Sequence, residues 1–370
     1  KLENSKVENM DFSVEDKLFV ENFIKKTKGV KSERTRKILE IQREWAEQLK
    51  KCDEVELYII KSTVIIAGTC TGFVSNRIIR DVEFDYVIVD EAAKATFPEL
   101  AVSLNKAHKI ILVGDHQQLP PVLDTEIIRN NKEKLDEEGL EQGIFERMYN
   151  MFPEDNKHRL TIQYRMHPTI GTLISHVFYN DEIQNGVEAQ DRELCIEGYE
   201  GIAIEWISTS KYSTKERYEK EFDNNGKKSY QNYLERNIIE RKLLELDSKL
   251  VKRTKVAVIT GYGSQKYILQ TMVKQHSFKH IEVDVDTVDA FQGSQKDIIL
   301  YSTVRSSGNK YGIGFLKSEA RINVAFSRAR CLLIIVGDMK FLDNYKIRGN
   351  KFPEIIKYIT ESEGCRIIEK

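Results

Sequence analysis

The sequence lacks any apolar run long enough to cross a bilayer. Its longest, such as Val64-Ile65-Ile66-Ala67 and Leu332-Leu333-Ile334-Ile335-Val336, fall far short of the ~18 residues that a spanning helix needs. No signal-peptide pattern opens the chain, so no membrane partner is expected. An excess of one charge is also missing: 57 Lys and Arg stand against 58 Asp and Glu, a formal net charge of -1. That balance excludes a uniformly basic nucleic-acid coat but leaves room for a local basic groove. Cysteine is sparse, with five residues (Cys52, Cys70, Cys195, Cys331, Cys365), odd in number and without a C-x-x-C spacing. This argues against a disulfide framework or a zinc site, and points to reduced thiols in a cytoplasmic, intracellular protein. Lysine at position 1 suggests a piece of something longer.

The chain is long enough for two or three domains, since single domains tend to run ~100–200 residues. Ser13 with Asp16 three positions on predicts a capped first helix to about Lys26. A second helix is expected from Glu33 to Lys51, with Ile38, Ile41, Trp45 and Leu49 on one face and charge on the other. From Ser62 the pattern changes to short, β-branched apolar runs: Val64–Ala67, Tyr86–Val89, Ile110–Val113, Ile202–Ile207, Val256–Ile259, Ile298–Tyr301 and Leu332–Val336. Such runs, mostly a helix-length apart, predict parallel strands buried on both faces. A break is expected near Phe152–His158, and the polar stretch Thr209–Lys228 reads as an exposed insertion or long loop before a helix over Tyr230–Leu250.

Polar residues collect just after these runs, where open α/β sheets bind ligands. The string VDEAAKAT (Val89–Thr96) puts Asp90 and Glu91 at a strand end. Paired carboxylates there suit magnesium–nucleotide chemistry, one acid holding the metal through water and the other activating a water. A capped helix start explains the pair equally well. The string VGDHQQLPPV (Val113–Val122) repeats the pattern one crossover later, and its glutamines carry both donor and acceptor. His116 and His167 lack metal-ligand spacing and read as structural.

Three further strings follow: LTIQYRMHP (Leu160–Pro168), VDTVDAFQGSQKDIILYSTVRS (Val285–Ser306) and GFLKSEARINVAFSRARCLLIIVGD (Gly314–Asp338). In this order and spacing, the five strings resemble the motifs of superfamily 1 helicases, in the branch of the nonsense-mediated-decay helicase and senataxin, over residues 55 to 345. The resemblance implies an α/β fold of two RecA-like parallel-sheet domains in tandem, the first incomplete at its N-terminus, with helices from an inserted subdomain. The expected boundaries are 1–60 for the helical return from that insertion, 61–155 for the first RecA-like domain and 156–370 for the second. It implies ATP and Mg2+ as cofactors and single-stranded DNA or RNA as a track followed five-prime to three-prime.

By the same resemblance Asp90 is the magnesium aspartate and Glu91 the base for the attacking water. Gln118 is the γ-phosphate sensor, and Arg165 and Arg328 are arginine fingers; Asp115, Tyr164 and Gln295 join Asp90 as cofactor contacts. Such an arginine contributes ~10³–10⁵ in rate to phosphoryl transfer. Arg321 and Arg330 are read as structural. Thr69, Thr287 and Arg305 are the candidate nucleic-acid contacts. The sequence departs from the pattern at Gln295, often a glutamate, and at Phe326 and Ser327, where leucine and threonine are usual.

A phosphate-gripping G-x-x-x-x-G-K-[ST] loop is absent from the sequence. The nearest imitation, GYGSQK (Gly261–Lys266), has its glycines too close together. The expectation is therefore the C-terminal part of an ATP-driven helicase whose phosphate loop lies in an N-terminal portion or a partner chain. The competing readings are a non-hydrolysing nucleic-acid-binding or regulatory module and, last, a metal-dependent nuclease.

Overall fold

The computed structural model of the chain describes residues 37–44, 53–80, 82–121, 143–224, 227–307 and 312–369. The first expected helix lies outside them. Of the second, residues 37–44 are described and are helical, with Ile38 and Ile41 exposed. The chain separates into two compact units, Lys1–Val87 with Ala101–Lys109, and Ile88–Leu100 with Ile110–Lys370.

In the first unit, helix α1 (Asp53–Ser62) is followed by an irregular stretch and then α2 (Cys70–Ser75). The run Val64–Ala67 is not a strand, contrary to its apolar pattern. Val64 is 97% exposed, and no neighbouring strand among the described residues takes up its backbone groups. Phe73 packs edge-on against Phe84 at 6.2 Å.

Strands β1 (Phe84–Val89) and β2 (Ala107–Leu112) flank helix α3 (Phe97–Leu104) and pair as a two-stranded sheet. The Phe84 N–H bonds the Lys106 carbonyl at 2.8 Å, and the Val113 N–H bonds the Val89 carbonyl at 2.9 Å. That offset makes the pair parallel, as a helix crossover requires.

The second unit holds α4 (Gly143–Met151), a short bridge of β3 (Ile162–Gln163) with β4 (Gln184–Asn185), α5 (Pro168–Phe178), and a six-stranded sheet. The strands are β5 (Ile204–Ser208), β8 (Thr254–Thr260), β9 (Ile281–Thr287), β10 (Lys296–Ser302), β11 (Ala329–Gly337) and β12 (Cys365–Glu369). All pair in parallel, in the order β12-β5-β11-β10-β8-β9.

Both faces are covered. Ala257 and Ile259 of β8 face α5, α9 (Glu319–Phe326) and α11 (Phe352–Glu361), in a core that includes Trp206, Tyr301 and Phe352. Val256 and Val258 face α6 (Tyr233–Lys249) and α7 (Gly263–Val273), against Ile239, Leu243 and Leu269. Burial on both sides is why these strands are continuously apolar rather than alternating.

The stretch read as a loose loop is partly ordered. Strands β6 (Lys220–Asn224) and β7 (Lys227–Gln231) pair antiparallel, and the Glu219 side chain before them is fully buried.

Candidate active site

The second unit brings most of the expected nucleotide residues together. β1 ends at buried Val89, and the chain then turns sharply through Asp90 and Glu91. Glu91 has φ 54°, a left-handed conformation uncommon for a residue with a side chain, and Asp90 Oδ1 accepts its N–H at 2.9 Å. Both carboxylates are exposed. The turn is stitched to the segment after β2 by the Ala92 N–H, which bonds the Val113 carbonyl at 2.8 Å. Gly114 allows that approach, because a Cβ there would lie 2.9 Å from the Ala93 nitrogen.

Asp115 organises the next turn. Its Oδ1 accepts the Gln117 N–H at 3.0 Å, and its Oδ2 accepts Gln118 Nε2 at 2.8 Å and the Tyr179 hydroxyl at 2.5 Å. The other end of the Gln118 amide, Oε1, accepts a long 3.4 Å bond from Arg328. Arg328 sits just before β11 and is 2% exposed; it also donates to the Val324 carbonyl at 3.0 Å, the Ser327 hydroxyl at 2.9 Å and the Ser294 carbonyl at 3.4 Å. Arg165 reaches the Ser327 carbonyl at 3.3 Å.

The two arginines crowd one another. Burial pushes Arg328 down to about 10, helped by the positive charge of Arg165 and opposed by Glu91. Burial lowers Arg165 as well, again opposed by Glu91. Both stay charged at neutral pH. Glu91 acts on both desolvated guanidinium groups and Asp115 on Arg328 as well, so the site sets two cations among acids and offers the fork-shaped donors that a phosphate oxygen accepts from.

A magnesium–nucleotide fits the same geometry. Among the described residues no cluster of three or more His, Cys, Asp or Glu can hold a metal. Asp90, exposed at the strand end, is the carboxylate that would hold a magnesium ion through its water shell.

At the rim, Gln295 is exposed between Ser294 and Lys296. Tyr164, 63% exposed, lies across Gly186, where a Cβ would meet its ring at 2.4 Å. Its accessible face suits stacking on a base. His116 stacks on Tyr149 at 5.2 Å, and buried His167 accepts the Thr169 N–H at the start of α5, so neither is placed as a metal ligand. Arg321 pairs with Asp289 and Arg330 with Asp297. The polar side chains at the end of the GYGSQK turn are engaged: Gln265 bonds Asn232 and Ser302, and Lys266 pairs with Asp286 at 2.6 Å.

The candidate nucleic-acid contacts fare differently. Thr69, in the first unit, caps α2 by accepting the Gly72 N–H at 3.0 Å. Thr287 ends β9, half-buried, with no capping bond from its side chain. Arg305 is corrected. It is fully buried, with its guanidinium on Glu219 at 3.2 Å, on the Gly312 carbonyl at 3.1 Å and 4.0 Å from the Tyr230 ring centroid. A side chain so enclosed presents nothing to a backbone phosphate.

Sequence reasoning missed Tyr179 and Asn323. The Asn323 amide donates to the Tyr179 hydroxyl at 2.8 Å and to the Gln117 carbonyl at 3.0 Å. Asn323 stood inside a motif string, but Tyr179 follows α5 with no local signal.

Comparisons with known proteins give the family. One family model described as an AAA domain matches residues 140–340, and a second of the same description matches residues 3–126. Among similar proteins, a regulator of nonsense transcripts 1 homolog of Neurospora crassa is 35% identical over 301 residues, 80% of this chain and 26% of that protein. The Drosophila melanogaster homolog is also 35% identical over 301 residues, 80% of this chain and 24% of its own length. The ATP-dependent helicase NAM7 of Saccharomyces cerevisiae is 33% identical over 324 residues, 86% of this chain and 31% of that protein. The chain thus spans about a quarter to a third of these relatives.

Proposed function

Because the chain belongs to the AAA-domain family of superfamily 1 helicases, in its nonsense-mediated-decay branch, we propose that it is the responding part of an ATP-driven motor on single-stranded nucleic acid. The observation that carries this reading is the pair of desolvated guanidinium groups of Arg165 and Arg328 converging with Gln118 on the Glu91 side of the site. Bound ATP with magnesium supplies the scissile phosphoryl group and the cation that draws its charge. Glu91 takes the proton of the attacking water. Gln118 exchanges Arg328 for the phosphate and so registers its presence. Arg165 and Arg328, once Gln118 has released Arg328, hold the charge spreading over the phosphoryl oxygens. On this reading Tyr164 and Gln295 contact the nucleotide, and Thr69 and Thr287 are each candidates for contacts to the nucleic-acid backbone.

The phosphate grip, on this reading, comes from outside these residues. Supporting it, strand residues Ile88, Ile110 and Ile111 are 66%, 42% and 46% exposed, although continuously apolar parallel strands are normally covered on both faces. Further strands bearing the phosphate loop would cover them. The free thiols of Cys70, Cys195, Cys331 and Cys365 suit a reducing, intracellular setting.

The test compares phosphate release from ATP, with and without single-stranded DNA or RNA, by this chain and by the protein that joins it to a phosphate loop. The joined protein should turn over with nucleic-acid stimulation and lose turnover on Glu91→Gln, while the chain alone should be inactive. Turnover by the chain alone, abolished by Glu91→Gln, would overturn the outside phosphate grip. Absence of turnover in the joined protein would overturn the motor and favour a binding module.

A further inference from the structure

Tyr179 lies outside all five motif strings, yet its hydroxyl ties two of them together. It donates to Asp115 Oδ2 at 2.5 Å and accepts from Asn323 Nδ2 at 2.8 Å. The same Asp115 oxygen accepts Gln118 Nε2, and the same Asn323 nitrogen reaches the Gln117 carbonyl. Asn323 stands on α9, little more than one helical turn before Ser327 and Arg328. Tyr179 itself caps α5, whose opposite end begins at Pro168, shortly after Arg165. One phenol therefore touches the sensor turn and the helix leading to one arginine, while its own helix leads to the other.

We propose that Tyr179 is a positioning residue that couples the state of Gln118 to α9 and its Arg328. The inference rests on the ATPase reading above. In the present arrangement Gln118 is held at both ends, by Asp115 through Nε2 and by Arg328 through Oε1. Turning Gln118 to a phosphate takes one donor from Asp115 and releases Arg328 at the same moment. Tyr179 then remains as the side-chain donor on Asp115 Oδ2 while the Gln117 N–H stays on Oδ1, and Asn323 keeps α9 on the same node. Burial and the neighbouring Asp115 carboxylate hold the phenol's pKa far above its ordinary value, so the hydroxyl stays a donor throughout the working pH range. A hydroxyl that merely filled space would need one partner; this one is placed to sense two elements that must move in step.

The experiment has two arms. In the joined protein, Tyr179→Phe keeps the ring and removes the node. It should lower nucleic-acid-stimulated kcat roughly tenfold, the size expected for losing a hydrogen bond to a charged group, with KM for ATP within about twofold. Asn323→Ala should add little in the Tyr179→Phe background, because both act through one node. Unchanged kcat, or fully additive effects, would overturn the proposal.

In the 370-residue chain, independently of turnover, amide hydrogen exchange is compared between wild type and Tyr179→Phe. Exchange at Gln117, Gln118 and α9 should quicken together while the β10 and β11 core stays protected. Quickening confined to α5 would mean local packing and would overturn the coupling. Coupled exchange in the chain with no turnover in the joined wild-type protein supports the node and overturns the ATPase reading alone.

Discussion

Glu235 offers a test of the reasoning that needs no ligand. It opens α6, is wholly buried, and its carboxylate accepts the Ser302 hydroxyl at 2.6 Å, the Val304 N–H at 2.9 Å and the Thr303 hydroxyl at 3.2 Å. It thereby pins a strained corner. Val304 has φ 69°, and the Arg305 N–H bonds the Thr303 carbonyl at 2.8 Å, a γ-turn centred on a β-branched residue. Burial pushes the Glu235 carboxyl up to about 8, and its three donors do not cancel that cost.

The folded protein therefore holds a proton that the unfolded chain releases near pH 4.5. Stability from this group is intact below that point, falls as pH rises towards about 8, and levels off above it. At about 1.4 kcal/mol for each tenfold change in proton affinity, the whole fall is on the order of 5 kcal/mol. Glu235→Gln should remove it. The amide oxygen can accept from Ser302 and Val304, while its nitrogen donates to the Thr303 hydroxyl.

Urea unfolding at steps from about pH 5 to about pH 9, followed by fluorescence of buried Trp206, measures both proteins. The difference between them should open in favour of Glu235→Gln as pH rises, by at least about 1 kcal/mol. Parallel curves, or a variant that loses ground with pH, would show that the native carboxylate is ionised and that its hydrogen bonds outweigh its burial.

Three further outcomes follow from the geometry. Gly114→Ala should cost about 1–3 kcal/mol in urea unfolding, because the Ala93 backbone 2.9 Å from the new Cβ cannot move without breaking the stitch between the turns. Glu219→Ala should cost about 3 kcal/mol or more in the same assay, since it strips a buried partner from Arg305 and acceptors from the Ser306 and Ser307 N–H groups. In the joined protein, Tyr164→Ala should raise KM for ATP several-fold with kcat little changed, while Tyr164→Phe stays near wild type, because a stacked base needs the ring and not the hydroxyl.

The strands legible in the sequence are those buried on both faces, where nothing interrupts the apolar run: β8, β10 and β11 fall where Val256–Ile259, Ile298–Tyr301 and Leu332–Val336 lie. β9 escapes the same reading because it is an edge strand whose Glu282 and Asp284 face outward and break the run. The β6–β7 pair escapes because its side chains are mostly polar and it is held by backbone pairing, beside a buried Glu219 that no composition rule anticipates. Val64–Ala67 errs the other way, an apolar run without a pairing neighbour among the described residues. At the site, Glu91, Gln118, Arg165 and Arg328 are marked by motif spacing. Tyr179 is marked only by three-dimensional proximity, since its partner Asp115 is 64 positions away. Arg305 shows the limit of motif reading: position identified a strand end, but not which way the guanidinium turns.

The site's geometry also explains why its cations need not be idle without nucleotide. An unpaired buried arginine costs several kcal/mol, so a site that waits for phosphate must give its guanidinium groups interim partners. The partners here are neutral: the Ser294, Val324 and Ser327 carbonyls, the Ser327 hydroxyl and the Gln118 amide. Neutral acceptors satisfy the N–H groups without cancelling their charge, and so leave the attraction for an incoming phosphate intact. A carboxylate in the same place would bind the arginines more tightly and would have to be displaced. Of these bonds, the Arg328 contact to Gln118 is among the longest, at 3.4 Å, and it is the one whose exchange for phosphate would report the nucleotide's arrival. One of the two longest links therefore sits where switching requires it, while the tighter bonds to Val324 and Ser327 keep Arg328 attached to the end of α9 as the exchange occurs.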